Sequence, residues 1–78
     1  MTYYFTFGPN ENFPYRNGWV KISAKNENDA RDAFAKRYGH TPEGFLPCAF
    51  VYDEKRFKTT SMPEKGNFNA FCHDSFTA

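Results

Sequence analysis

The sequence predicts a small single-domain α+β protein spanning residues 1–78: a ββαβ chain whose three-stranded sheet, in the order 2-1-3, carries one amphipathic helix on one face and an irregular C-terminal tail on the other. Three observations lead there. The hydrophobic period is two residues near the N-terminus, changes to 3.6 between residues 24 and 40, and returns to two around residue 50. Seventy-eight residues is close to the smallest chain that sustains one hydrophobic core, which leaves room for a surface but hardly for a deep cleft. Aromatic residues make up 21% of the chain, ten of them phenylalanine, against a single leucine, Leu46, so the core must be built from flat rings of the kind that strands accommodate best.

Thr2 to Phe7 alternates rings with threonine and stops at Gly8-Pro9-Asn10, which reads as a first strand and a turn. The polar stretch "NENFPYRNG" then returns the chain to Trp19–Ala24, a second strand with Val20, Ile22 and Ala24 on one side and Trp19, Lys21 and Ser23 on the other. In "AKNENDARDAFAKRYGH", residues Ala30, Ala33, Phe34, Arg37 and Tyr38 share one helical face. Asn26 or Asn28 can cap the start, Asp29 suits the positive end of the dipole, and Gly39 is placed to end the helix. "TPEGFLP" is a loop, "CAFVYD" a third strand, and "DEKRFKTT" a charged stretch suited to one exposed helical turn.

A helix joining the second strand to the third makes those two parallel and lets the first lie between them. Val20, Ile22, Ala49 and Val51 are expected under the helix, with Trp19, Lys21, Cys48, Phe50 and Tyr52 on the opposite face. That second face is strongly aromatic. The tail "MPEKGNFNAFCHDSF", with three phenylalanines, is the segment expected to cover it, with Phe71 and Cys72 buried against the sheet and His73 outward.

Composition narrows the function classes. Ten basic and nine acidic side chains give a net charge of +1, which supplies no long-range attraction for nucleic acid. No apolar run approaches the roughly 20 residues of a membrane span, and "MTYYFTFG" lacks the basic and hydrophobic regions of a signal peptide, so a cytoplasmic protein without membrane contact is expected. In that compartment Cys48 and Cys72 read as reduced thiols rather than a disulfide. His40, Cys48, Cys72 and His73 are ligand types that zinc accepts, but no C-x-x-C pair anchors them and the adjacent Cys72 and His73 point apart in extended chain, so neither metal nor cofactor is expected. Cys72 with His73 or His40 would need an oxyanion donor before it could act as a nucleophile, and no catalytic residue is assigned: the protein is not expected to be an enzyme. In "EKRFKTT", Lys55, Arg56 and Lys58 surround Phe57, a mixture that can track single strands, yet Asp53, Glu54 and Glu64 dilute it and a helical turn anchored by Phe57 explains it as well.

The strings "YYFTFG", "GWVKISA", "ARDAFAKRYG", "CAFVYDE", "FKTTSM" and "GNFNAFCH" together resemble a family of small uncharacterised proteins of phages and prophages of Gram-positive bacteria. The resemblance spans nearly the whole chain and departs at Asn69, where glycine is expected. It implies a context rather than a mechanism: an accessory protein expressed in the host cell during infection, of the kind that includes inhibitors of CRISPR systems and other defences. The expected function is therefore a protein-binding module that blocks a host protein, such as a component of a nucleoprotein defence complex, by occupying its surface. Trp19, Lys21, Tyr52, Lys55, Arg56 and Lys58 are the binding residues, because aromatic and arginine side chains dominate interface energetics. Direct nucleic-acid binding is not expected to be the main activity; an oligomer that sequesters a nucleotide and a nucleic-acid-binding accessory protein are the alternatives.

Overall fold

In the computed structural model, residues 1–8, 18–60 and 71–78 are described, Phe71 by its backbone alone. Six elements follow one another: β1 (Thr2–Thr6), β2 (Gly18–Ser23), α1 (Glu27–Tyr38), β3 (Phe50–Asp53), α2 (Glu54–Lys58) and β4 (Phe71–Thr77). They build a four-stranded sheet in the order β3-β1-β2-β4. The α+β class and the β3-β1-β2 order agree with the sequence: β1 is central and antiparallel to both neighbours, with Phe5 opposite Val20 on one side and Val51 on the other.

The sheet differs from the three-stranded expectation by one strand. Instead of lying as an irregular cover over the aromatic face, residues 71–77 extend the sheet beside β2 and parallel to it. The register passes from Trp19↔Cys72 to Val20↔Asp74, which leaves His73 as the extra residue of a bulge. The reason the tail adds a strand is on the helix. Asp74 accepts hydrogen bonds from Arg37 Nη1 at 2.7 Å and from the Tyr38 hydroxyl at 2.8 Å, and the Arg37 guanidinium lies 3.8 Å over the Phe76 ring. Charge-assisted bonds and a cation over a ring thus tie β4 to α1, and β2 gains a neighbour on its open side. The expectation for Cys72 is corrected accordingly: it is exposed on β4, not buried. Residues 9–17, which include Pro14, and residues 61–70, which include Asn69, lie outside the described residues.

The helix forms for local reasons. Asn26 Oδ1 accepts the Asp29 N–H at 2.8 Å, Glu27 and Asp29 sit in the first turn, and Lys36 and Arg37 in the last. Gly39 takes φ +78°, where a side chain would be strained, and returns its N–H to Ala35 O at 2.7 Å. Ala30 and Phe34 are completely buried against Tyr3, Phe5, Phe7, Val20 and Ile22. Phe34 stacks on Phe5 with ring centroids 4.6 Å apart and planes 8° apart, and its neighbours Phe7 and Tyr38 lie at 6.3 and 4.8 Å. Val51 packs on the same cluster as expected. Cys48 does too, which corrects its assignment to the opposite face: two residues before β3 the strand alternation does not yet hold.

Two outcomes follow. Phe34→Ala removes the ring on which both the helix and β1 converge and should cost about 3 kcal/mol or more, read by chemical denaturation; a loss under about 1 kcal/mol would place the helix elsewhere. Asp74 is held below the ordinary carboxylate range, first by the Arg37 bond and then by the Tyr38 hydroxyl, against an opposing effect of burial that exceeds the help of the Ser75 amide. A lowered folded value means that the contribution is complete above the unfolded value of about 4 and is lost as pH falls through the folded one. The melting-temperature gap between the wild type and Asp74→Asn should therefore be present at pH 7 and close as pH falls through and below the ordinary carboxylate range; a gap that stays constant would refute the clamp.

Candidate interaction surface

The face opposite α1 is built by the alternate residues of the same strands. Register puts Tyr4 beside Lys21 and Tyr52, and Thr6 beside Trp19 and Phe50. Among the described residues its cover is α2. Asp53 Oδ1 caps that short helix by accepting the Arg56 N–H at 2.7 Å, and the turn this creates drops Phe57 onto the sheet. Phe57 is buried and stacks on Tyr4 at 3.9 Å with planes 5° apart, while Trp19 meets it edge-on at 5.3 Å and Tyr52 lies at 6.4 Å. The charged turn is thus anchored by its one ring. Burial, aided by Glu54 and then Cys72, raises the Tyr4 phenol above its ordinary value, so it stays protonated at neutral pH.

One five-residue helix cannot cover a sheet four strands wide. Phe50 remains 64% exposed and touches Tyr52 at 6.1 Å, and Trp19, Lys21 and Tyr52 are half-buried. Lys55, Arg56 and Lys58 are exposed on α2. Lys58 pairs with Glu54 at 3.5 Å, whereas Lys21, Lys55 and Arg56 have no ion-pair partner among the described residues. All six sequence-assigned binding residues therefore lie on this sheet face or on the helix that rides over it, as an aromatic strip edged by cations. Phe50, not among the residues assigned from the sequence, joins this strip, since its place two positions before Tyr52 in an alternating strand puts both rings on one face.

The remaining chemistry-bearing residues do not converge. Cys48 is packed under α1, and burial, partly offset by Arg31, pushes its thiol up to about 11, which makes it a poor thiolate nucleophile or ligand. Cys72 is exposed on β4 and donates to Asp74 O at 3.4 Å, and His73 lies 6.3 Å from the Tyr38 ring. Among the described residues no group of three or more His, Cys, Asp or Glu side chains could hold a metal ion. An open groove of about 760 Å³ between α1 and β4 is lined by Lys25, Asp29, Asp32, Lys36 and Arg37, charges of both signs, together with Phe76 and Thr77. A second exposed ring, Phe45 at 71%, projects from a loop closed on Thr41 by three hydrogen bonds, from Thr41 N to Phe45 O, Gly44 N to Thr41 O, and Phe45 N to Thr41 Oγ1.

No family model, curated protein or solved structure matches this chain. Among the described residues, no helix is long and apolar enough to cross a membrane.

If α2 is what covers the second face, Phe57→Ala should cost about 3 kcal/mol and shift the emission of Trp19, the sole tryptophan, to longer wavelength. Unchanged emission in the folded variant would show that Trp19 takes its environment from elsewhere.

Proposed function

We propose that this chain is a small phage-encoded binding module that inhibits a host defence protein in the cytoplasm by occupying its surface, without turning over a substrate. The observation that carries the reading is the strip of Phe50, Tyr52 and Trp19 beside Lys21, Lys55 and Arg56: half-open rings of low conformational entropy next to cations without an ion-pair partner among the described residues. Such rings supply hot-spot area at little ordering cost, and uncompensated cations favour an acidic partner surface. The family resemblance supplies the biological context.

A second reading is favoured by one specific feature. Phe50 is 64% exposed on a flat sheet edge with lysine and arginine nearby, which also suits stacking of an unpaired base.

Phe50→Ala combined with Arg56→Ala separates the readings. Tagged wild type and the double variant are incubated with nuclease-treated extract of a phage-infected Gram-positive host, and in parallel titrated with labelled single-stranded DNA and RNA at two salt concentrations. A discrete protein retained by the wild type and lost by the variant, with the variant's stability within about 0.5 kcal/mol of wild type, is the expected result. Oligonucleotide binding that weakens steeply with salt and is lost in the variant would select the second reading. Equal behaviour of variant and wild type in both assays would remove this face from consideration.

A further inference from the structure

The two edges of the sheet are unlike. β3 is four residues long and runs directly into α2, so little backbone is left open there. β4 has seven residues, carries neither lysine nor proline, and lies at the other end of the sheet with no strand beyond it among the described residues. A long edge strand with neither lysine nor proline, whose one carboxylate, Asp74, is held by the helix, is a template for pairing with another chain.

The backbone of β4 shows which groups are open. Ala78 donates its N–H to Ser23 O at 2.8 Å, so in the alternation of a parallel ladder Asp74 and Phe76 also turn their backbone towards β2, while Ser75 and Thr77 turn theirs outward. The outward amide at the middle of the strand is not left to solvent. Ser75 N–H donates to Asp74 Oδ1 at 2.8 Å. The other carboxylate oxygen, Oδ2, is fixed by Arg37 Nη1 and the Tyr38 hydroxyl at 2.7 and 2.8 Å. The helix therefore holds the carboxylate in the position from which it blocks the edge.

We propose that the outer edge of β4 is a self-association surface, closed in the single chain by the bond from Ser75 N–H to the Asp74 carboxylate, and that a second copy of this chain pairs antiparallel on it when that acceptor is removed. A second copy fits better than a foreign strand on grounds of charge. The single carboxylate of β4 is already taken up by Arg37, so the edge offers no ionic recognition to an unlike chain. A two-fold axis through Ser75 would let the two Ser75 residues exchange their backbone bonds. It would set Asp74 opposite Phe76 and His73 opposite Thr77, so that no like charges meet directly. At a net charge of +1, two copies repel each other little.

Sedimentation equilibrium of purified protein tests this at neutral pH. The wild type and Asp74→Asn, whose amide oxygen can still accept from Ser75, should both remain monomeric. Asp74→Ala should self-associate at least tenfold more tightly than either, to a dimer and with native circular dichroism. Adding Ser75→Pro removes the outward N–H at an edge position where proline is tolerated, and Asp74→Ala/Ser75→Pro should be monomeric and folded. A folded Asp74→Ala variant that stays monomeric overturns the proposal, as does a double variant that associates as tightly as Asp74→Ala, or a wild type that is already dimeric. Asp74→Val, which also lacks an acceptor and suits a strand, replaces alanine if that variant does not fold. Failure of both to fold would make Asp74 a structural clamp alone and would equally overturn the proposal.

Discussion

β1 is aromatic on both of its faces, and the rest of the molecule is arranged to keep those rings out of water. Tyr3, Phe5 and Phe7 point one way and Tyr4 the other, and every one of them is buried. A strand with one apolar face needs one covering layer; a strand with two needs a layer on each side. That requirement makes β1 the centre of the sheet, with β2 and β3 satisfying its backbone. It places α1 over Phe5 through Phe34, and it gives the short α2 a role through Phe57 that its five residues could not sustain alone.

The elements legible in the sequence are those whose own residues carry a period. β1 and β2 alternate, α1 repeats Ala30, Ala33, Phe34 and Tyr38 at helical spacing, and Asn26 and Gly39 mark its ends, so strand order and core followed from local pattern. β4 was illegible because "FCHDSFT" has no alternation of apolar and polar residues: besides its ladder to β2 it is tied to the helix by Arg37 and Tyr38, which are 37 and 36 positions away from Asp74, and a single sequence does not display such contacts. The misplacement of Cys48 has the same origin, since alternation was extended two residues beyond where β3 begins. The candidate surface was half legible. Tyr52 and the cations were evident from residue type, whereas the prominence of Phe50 depended on which part of the face α2 leaves open.

A core built from rings has a further consequence. Leucine and isoleucine interdigitate and can fill small gaps, but rings pack as plates with a preferred stacking geometry, and a 78-residue chain with ten phenylalanines has more plates than one small core accommodates. Phe34, Phe5 and Phe7 form one stack, and Phe57 with Tyr4 the other. Phe50 and Phe45 are left outside both. Phe45 sits on a loop that Thr41 holds closed by three hydrogen bonds.

The same economy explains how one carboxylate serves two elements. Asp74 lies where α1 passes over β4, and both its oxygens are used, Oδ2 by the helix and Oδ1 by the Ser75 amide of its own strand. Bonds to an ionised acceptor are roughly twice as strong as neutral ones, and each partner fixes the geometry for the others. Docking of the tail and closure of the sheet edge therefore draw on the same carboxylate, while the ladder to β2 holds the strand as well. Nothing about Asp74 in isolation, an acid in a short polar run, distinguishes it from the other aspartates of the chain; its role arises from the helix laid across it, whose position was set by the rings of β1.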